Sequence, residues 1–239
     1  MKSFAGARVL IVGLGSSGFA AARALLSLDA KVRVTESADT APIRQRATTL
    51  RQLGAEVEIG GHDLSLLDAD IAIVSPGIPP TTPVMEALIS EGIEIWSEVE
   101  LASRLTRCDF LAVTGTNGKT TTTSLLAAIL REGNVPSVAA GNIGLPLVQA
   151  VASIPEGGAI AVEVSSFQLA TTTSFAPKIA VLLNIAEDHT DWHGSTEAYA
   201  AAKARIIQNQ TEGDVFVVNA DDPRAMEVAR RAPGSVLRF

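Results

Sequence analysis

Phe110-Leu111-Ala112-Val113, running into Thr114-Gly115-Thr116-Asn117-Gly118-Lys119-Thr120, decides the fold. A short apolar run reads as a buried strand, a glycine-containing turn follows, and the turn opens a helix from Lys119 to about Arg131. In such a unit successive loop N–H groups bind phosphate oxygens, the lysine reaches the β- and γ-phosphates, and the next hydroxyl ligates magnesium. The usual phosphate loop would have its first glycine where Val113 stands, so this is the shorter G-x-x-G-K-T form. Strand, turn, Gly-Lys-Thr and helix agree, and the ligand they point to is ATP.

Working outward, short apolar runs alternate with helical stretches along the chain, the sign of parallel α/β architecture. Upstream, strands are expected at Arg8–Val12, Lys31–Thr35, Ala55–Ile59 (an edge strand), Ile71–Val74 and Ile93–Trp96. Helices are expected at Ser17–Leu28, Pro42–Leu53 and Pro83–Ser90, with a charged helical connector at Ser97–Arg107. Downstream, the strands are Ser137–Ala140, Ala159–Val164, Ile179–Leu183, Val215–Val218 and Val236–Phe239, and a helix at about Thr196–Gln208 takes Ser195 as its N-cap. The reading is a Rossmann-like parallel-sheet domain over 1–96, then a P-loop-type α/β ATP-binding domain over 97–239 that is incomplete at its end.

The 239 residues fit two domains. Hydrophobic residues at 47% supply ample core, and aromatics at 4% leave it to Val, Ile, Leu and Ala. A net charge of −7 gives no electrostatic footprint for nucleic acid, so a phosphate site must gather its positive charge locally or borrow it from a metal. The single cysteine, Cys108, excludes an internal disulfide and suits a reducing compartment. Gly13, Gly15 and Gly18 break the first apolar run, so no signal peptide is expected, and no stretch approaches a membrane span. A cytoplasmic protein follows, with a monomer expected and neither nucleic acid nor membrane as partner.

Two further groups of residues carry chemistry. Gly13-Leu14-Gly15-Ser16-Ser17-Gly18 lies between a strand and a helix, where a G-x-G-x-x-G turn faces a pyrophosphate. Glu36 follows at the end of the second strand, placed to accept from a ribose hydroxyl, and Ser75-Pro76-Gly77-Ile78 ends another strand where ligands of open sheets sit. The turn alone admits NAD or any nucleoside diphosphate, or no ligand. In the second half, Glu163 near the end of a buried strand needs a metal or a cation to offset its burial. Glu187-Asp188-His189 should emerge on the same sheet edge. Magnesium suits Glu163 better than His189, which also reads as a polar loop residue. Asn142 is either a left-handed turn residue or a substrate contact, and Lys203 reads locally as a solvated helix lysine.

Gly13–Gly18, Ser75–Ile78, Thr114–Thr120, Gly141–Pro146, Glu163–Gln168, Glu187–Asp191 and Ala201–Arg205, in this order, resemble the Mur ligases across the whole chain. The resemblance implies an ATP-dependent carboxylate–amine ligase of peptidoglycan precursor synthesis, and it favours a UDP-sugar over NAD at the first turn. The implied substrates are UDP-N-acetylmuramoyl-L-alanine, activated as an acyl phosphate, and D-glutamate, whose amine attacks it. Gly115, Thr116, Asn117, Gly118, Lys119, Thr120 and Thr121 would hold ATP. Gly15, Ser16, Ser17, Glu36, Ser37, Ser75, Pro76, Gly77, Asn142, Ser165 and His189 would hold the UDP-sugar. Two Mg2+ sites would draw on Thr120, Glu163, His189 and Lys203, the last resembling a family lysine that carries a carbamate. Lys119, His189, Lys203 and Asp188 would form the catalytic set.

Ser37-Ala38 stand where relatives can offer a basic residue, so the grip on UDP should differ. Family members carry a third domain that binds the incoming amino acid. The chain is therefore expected to be a fragment with little or no ligase activity that retains substrate binding. The competing readings are a folylpolyglutamate synthase–like ligase, a nicotinamide-dependent oxidoreductase and a catalytically silent nucleotide-binding module.

Overall fold

A computed structural model describes residues 4–64, 67–155 and 157–239. The chain divides into two compact units, Met1–Leu101 and Ala102–Phe239.

The first unit holds strands β1 (Arg8–Val12), β2 (Lys31–Glu36), β3 (Glu56–Ile59), β4 (Ile71–Val74) and β5 (Glu94–Trp96) in the order β3-β2-β1-β4-β5. All four pairings are parallel. The crossovers run through α1 (Ser16–Leu26), α2 (Ala41–Gln52) and α3 (Pro83–Ser90), and α4 (Glu98–Leu105) follows β5. Burial explains the composition of the strands. The interior strand β4, Ile-Ala-Ile-Val, is buried at every position, whereas the edge strand β3 alternates charge with Val57 and Ile59 and is buried at none. Leu10, Val12, Ala72 and Val74 meet Val84, Met85 and Leu88 of α3 in one apolar cluster. Strand order reverses between β1 and β4, so the crevice at their carboxyl ends is where an open α/β sheet takes its ligand.

The second unit holds β6 (Asp109–Thr114), β7 (Ser137–Gly141), β8 (Ala159–Glu163), β9 (Ile179–Leu182), β10 (Val215–Val218) and β11 (Ser235–Arg238). Their order is β11-β10-β9-β6-β8-β7, again all parallel. The helices are α5 (Lys119–Glu132), α6 (Leu147–Ser153), α7 (Ser166–Ala170), α8 (Thr190–His193), α9 (Thr196–Ala204) and α10 (Pro223–Ala229). Register places Val113, Glu163 and Gly141 in one row across β6, β8 and β7. The phosphate loop, Glu163 and the turn before Asn142 therefore leave the sheet side by side. The helix expected to reach Gln208 ends at Ala204 and tightens to a 3-10 turn over Arg205–Ile207. There the Arg205 guanidinium bonds the carbonyl oxygens of Leu169 and Thr172, tying this end to the segment that follows β8.

Candidate functional site

In the second unit the phosphate loop is bent by two glycines and held from one side. Gly118 is left-handed at φ 84°, which a Cβ would strain, and it caps α5 with no side-chain bond to the first helical amides. Those amides are the ordinary seat of a phosphate. The segment after β9 fixes the loop's shape. Asn184 accepts from Asn117 N at 2.8 Å and donates to Asn117 O at 3.1 Å. Its carbonyl accepts from Thr116 N, and Ala186 N donates to Thr116 Oγ1 at 3.0 Å. One residue between them, Ile185 N, donates the other way, to Asp222 Oδ2 at 2.7 Å. The other Asp222 oxygen caps α10.

Lys119 folds over its own loop, with Nζ 3.0 Å from the carbonyl oxygens of both Gly115 and Thr116. Lys203 reaches the same Gly115 oxygen from α9 at 2.8 Å. It is not the solvated lysine its local pattern describes: it is 1% exposed, with Nζ 4.5 Å from the centre of the Tyr199 ring. Burial, and then the neighbouring charge of Lys119, push its amine down to about 7. A buried amine that is neutral for much of its time near pH 7 is a nucleophile, the state a carbamate-forming lysine needs.

Glu163 is 2% exposed, and each of its carboxylate oxygens has a partner. Oε2 accepts from Thr120 Oγ1 at 2.8 Å and Oε1 from Asn142 Nδ2 at 2.7 Å. The left-handed reading of Asn142 is corrected: the positive φ falls on Gly141 at 102°, where a Cβ would sit 2.4 Å from Glu163 O. Asn142 is instead a partner of Glu163 through both backbone and side chain. The four expected metal ligands do not form a ready cluster. Thr120 and Glu163 meet, the Lys203 amine bonds a carbonyl, and the exposed His189 rests on Phe167 with ring centres 4.8 Å apart. Among the described residues no group of three His, Cys, Asp or Glu is placed to hold an ion. The hydroxyl–carboxylate pair nevertheless suits magnesium, which binds through one or two carboxylates plus phosphate oxygens and water rather than an all-protein cage.

Asp188 accepts from His189 N at 2.9 Å, and its Oδ1 lies 3.5 Å from His189 Nδ1. Ser165 is committed within its own helix end: its hydroxyl and backbone N–H both bond the Gln168 amide oxygen, and it accepts from Gln168 N in a capping box. The Ser-x-x-Gln spacing carried that signal in the sequence. Composition gave no warning of the aromatic cluster of Phe167, His189, Trp192, His193 and Tyr199. Within it burial, then the charges of Lys203 and His189, lower the His193 pKa, and its Nε2 pairs with Ser166 Oγ at 3.0 Å.

In the first unit a cavity of about 630 Å³ opens at the reversal point. Gly13, Gly15, Glu36, Ser37, Ser75 and Gly77 line it, joined by His62, Leu64, Ile78, Pro79, Thr82, Pro83 and Val84. Ser16 and Ser17, in the first turn of α1, and Pro76 are not among its lining residues. Contact enforces the glycines: a Cβ on Gly18 would lie 2.0 Å from Gly13 O, and one on Gly13 2.4 Å from Ser75 Oγ. Ser75 Oγ is itself buried with no hydrogen-bond partner among the described residues. Glu36 carries a further load, because its carboxylate already accepts from Leu14 N at 2.6 Å and Ala38 N at 2.8 Å. Burial opposes its charge, but these amides, the Ser37 hydroxyl and His62 together hold its pKa below the usual value. It braces the turn as well as facing the cavity.

Comparison with known proteins covers both units. Residues 7–97 match the MurD-like N-terminal domain of Mur ligases, and residues 113–239 match the Mur ligase middle domain. The chain is 49% identical over 238 residues to the UDP-N-acetylmuramoylalanine–D-glutamate ligase of Frankia casuarinae, covering 99% of this chain and 50% of that protein. Its identity to the enzyme of the same name from Geobacillus kaustophilus is 47%, covering 93% of this chain and 49% of that one. The chain thus spans about half the length of these curated relatives. Among solved structures, UDP-N-acetylmuramate:L-alanyl-γ-D-glutamyl-meso-diaminopimelate ligase from Neisseria meningitides aligns at TM-score 0.65 and 21% identity, over 98% of this chain and 78% of its own. UDP-N-acetylmuramate-alanine ligase from Thermotoga maritima aligns at TM-score 0.55 and 23% identity, over 93% and 51%. Both show the two-sheet fold. The matches at both units are to ligase domains, which leaves the nicotinamide reading of Gly13–Gly18 without support.

Proposed function

This chain belongs to the Mur ligase family, and on that premise we propose that it supplies the UDP-sugar-binding and ATP-binding units of an enzyme joining D-glutamate to UDP-N-acetylmuramoyl-L-alanine. The observation that carries the proposal is the Thr120 hydroxyl meeting the buried Glu163 carboxylate at 2.8 Å, beside a helix start without a side-chain cap and two lysines. Bound there, ATP supplies the phosphoryl group that activates a substrate carboxylate, and magnesium offsets the charge of the phosphates. Gly115, Thr116, Asn117, Gly118 and Thr121 belong to the loop and first helical turn that would seat the phosphates. Lys119, released from its two carbonyls, would follow the negative charge. Thr120 and Glu163 would hold the ion, with Asn142 orienting the carboxylate from its other side. Lys203, neutral for much of its time and buried, would take up CO2 and present a carboxylate where the sequence offers a cation. Asp188 and His189 would face the reacting groups.

In the first unit Gly15 and the start of α1 would receive the diphosphate, and Ser75 would give its unpartnered hydroxyl to the ligand. The aqueous enzyme implied by this chemistry is cytoplasmic, and among the described residues no helix is long and apolar enough to cross a membrane. The test is calorimetric titration of this chain with UDP-N-acetylmuramoyl-L-alanine, with magnesium ATP, and with NADH as control. Binding of the first two and not the third is expected. Binding of NADH in place of the UDP-sugar would remove the reading.

A further inference from the structure

Thr35, one residue before the end of β2, is 4% exposed, and its hydroxyl is crowded by three groups. His62 Nδ1 lies 2.7 Å from Oγ1, Glu58 Oε2 3.0 Å and the Gly61 carbonyl 3.2 Å. A hydroxyl has one proton to give, while a carboxylate and a carbonyl offer only lone pairs. The Thr35 proton therefore goes to Glu58 or Gly61. Were it given to His62 instead, oxygen lone pairs would be left facing oxygen lone pairs. His62 Nδ1 must then bring its own proton to Thr35. The network assigns the neutral ring its Nδ1–H tautomer, which leaves Nε2 as a lone-pair acceptor.

His62 lines the cavity of the first unit together with Glu36 and Ser37. The glycine turn at the end of β1 is the diphosphate end of that cavity. β2 and then β3 lie outward from β1 in the sheet, so a nucleoside attached to the diphosphate on this side comes to the Glu36–His62 wall. Glu36 already receives the Leu14 and Ala38 amides. His62 Nε2 carries no such commitment among the described bonds.

We propose that His62 reads the nucleobase in this cavity, its Nε2 accepting an N–H from the imide edge of uracil. The inference rests on the reading of the cavity as a UDP-sugar site and adds the group that selects the base. Uracil presents N3–H to such an acceptor. Cytosine presents a lone pair at the same ring position, and two acceptors facing each other in a cavity are costly. Thr35, which touches no ligand in this scheme, is a positioning residue acting through the tautomer it fixes.

The experiment is calorimetric titration of UDP and CDP into the unaltered chain, the His62→Phe variant and the Thr35→Val variant. The unaltered chain should prefer UDP by about tenfold or more, the size of one matched against one mismatched hydrogen bond. His62→Phe keeps ring bulk without the acceptor and should bring the two affinities within about twofold. Thr35→Val keeps the imidazole but frees the tautomer, and should narrow the preference part of the way. A UDP preference unchanged in His62→Phe overturns the role of His62 while leaving the UDP-sugar reading standing. Should the unaltered chain bind neither nucleotide, the UDP-sugar reading falls and takes this inference with it. If His62→Phe does not fold, judged by its circular dichroism, Thr35→Val decides, and an unchanged ratio there overturns the proposal.

Discussion

The two units contain the same device, a glycine turn between a central parallel strand and a helix, put to different use. At Gly13–Gly18 the turn is held by steric contact and by one carboxylate, Glu36, which accepts its Leu14 amide. At Gly115–Thr120 the turn is surrounded by two lysines, a hydroxyl–carboxylate pair and the Asn184 amide. The first arrangement suits a phosphate that is only to be held, because backbone dipoles suffice for that. The second suits a phosphate that is to be moved, where charge must be offset as bonds change. The fold supplies the site, and the side chains decide whether it binds or reacts.

Four outcomes would sharpen or break that contrast. The largest effect is expected from Gly18→Ala, whose Cβ would lie 2.0 Å from the backbone oxygen of Gly13. It should destabilise the first unit by about 3 kcal/mol or more, read by urea unfolding. Gly118→Ala should cost only about 1–2 kcal/mol, since its conflict is a left-handed φ and a Leu183 methyl that can move. Equal costs would mean that the two turns are built alike after all.

The units should also respond to pH in separate windows, each gaining stability as pH rises. Lys203 titrates at about 7 when folded, against 10.5 for the ordinary amine, so the unfolded chain binds more protons between those values. Its destabilising contribution is full below about pH 7 and is relieved as pH rises toward 10.5. Stability should climb over that window, and Lys203→Met should flatten the climb. Glu36 is likewise shifted below its ordinary value, in the acid range. Its contribution is present above that value and fades as pH falls through the lowered folded value, a loss that Glu36→Gln should remove. Thermal melts across pH would show both slopes.

Glu163→Gln keeps the shape of the pair with Thr120 but removes the charge. Magnesium ATP binding should weaken by about 10–100-fold, while UDP binding to the other unit stays as it was. A parallel loss of both would contradict the separation of roles. The smallest change is expected from Ser165→Ala, which removes the capping box of α7. It should cost about 1 kcal/mol with no change in nucleotide affinity.

How far the sequence could be read depends on length and on where partners come from. β1, β4, α3 and β10 are read to the residue, because each is a run bounded by turn residues or opened by proline. The helices at Leu147–Ser153, Ser166–Ala170, Thr190–His193 and Pro223–Ala229 go unread, being of two turns or fewer and so without a periodic face. Two of them did carry start signals, Ser165-x-x-Gln168 and Asp222-Pro223. In the site, strand-end position was enough to single out Glu163 and the phosphate loop. Asn184 and Asp222, which shape that loop, are ordinary polar residues until the fold brings them to it. The burial of Lys203 was equally hidden, since α7, which packs on α9, and the loop whose Gly115 carbonyl it bonds are distant in sequence.

The brace after β9 has a consequence of its own. Its bonds alternate, with Asn184 and Ala186 joined to the phosphate loop and Ile185 between them joined to Asp222. Such an alternation has a parity. Exchanging Ile185 or Ala186 leaves their backbone bonds in place and exchanging Asn184 removes only its two side-chain bonds, but adding or deleting a residue ahead of them hands the loop's bonds to the residue meant for α10 and strands both sides at once. This short segment should therefore tolerate a change of letter far better than a change of count.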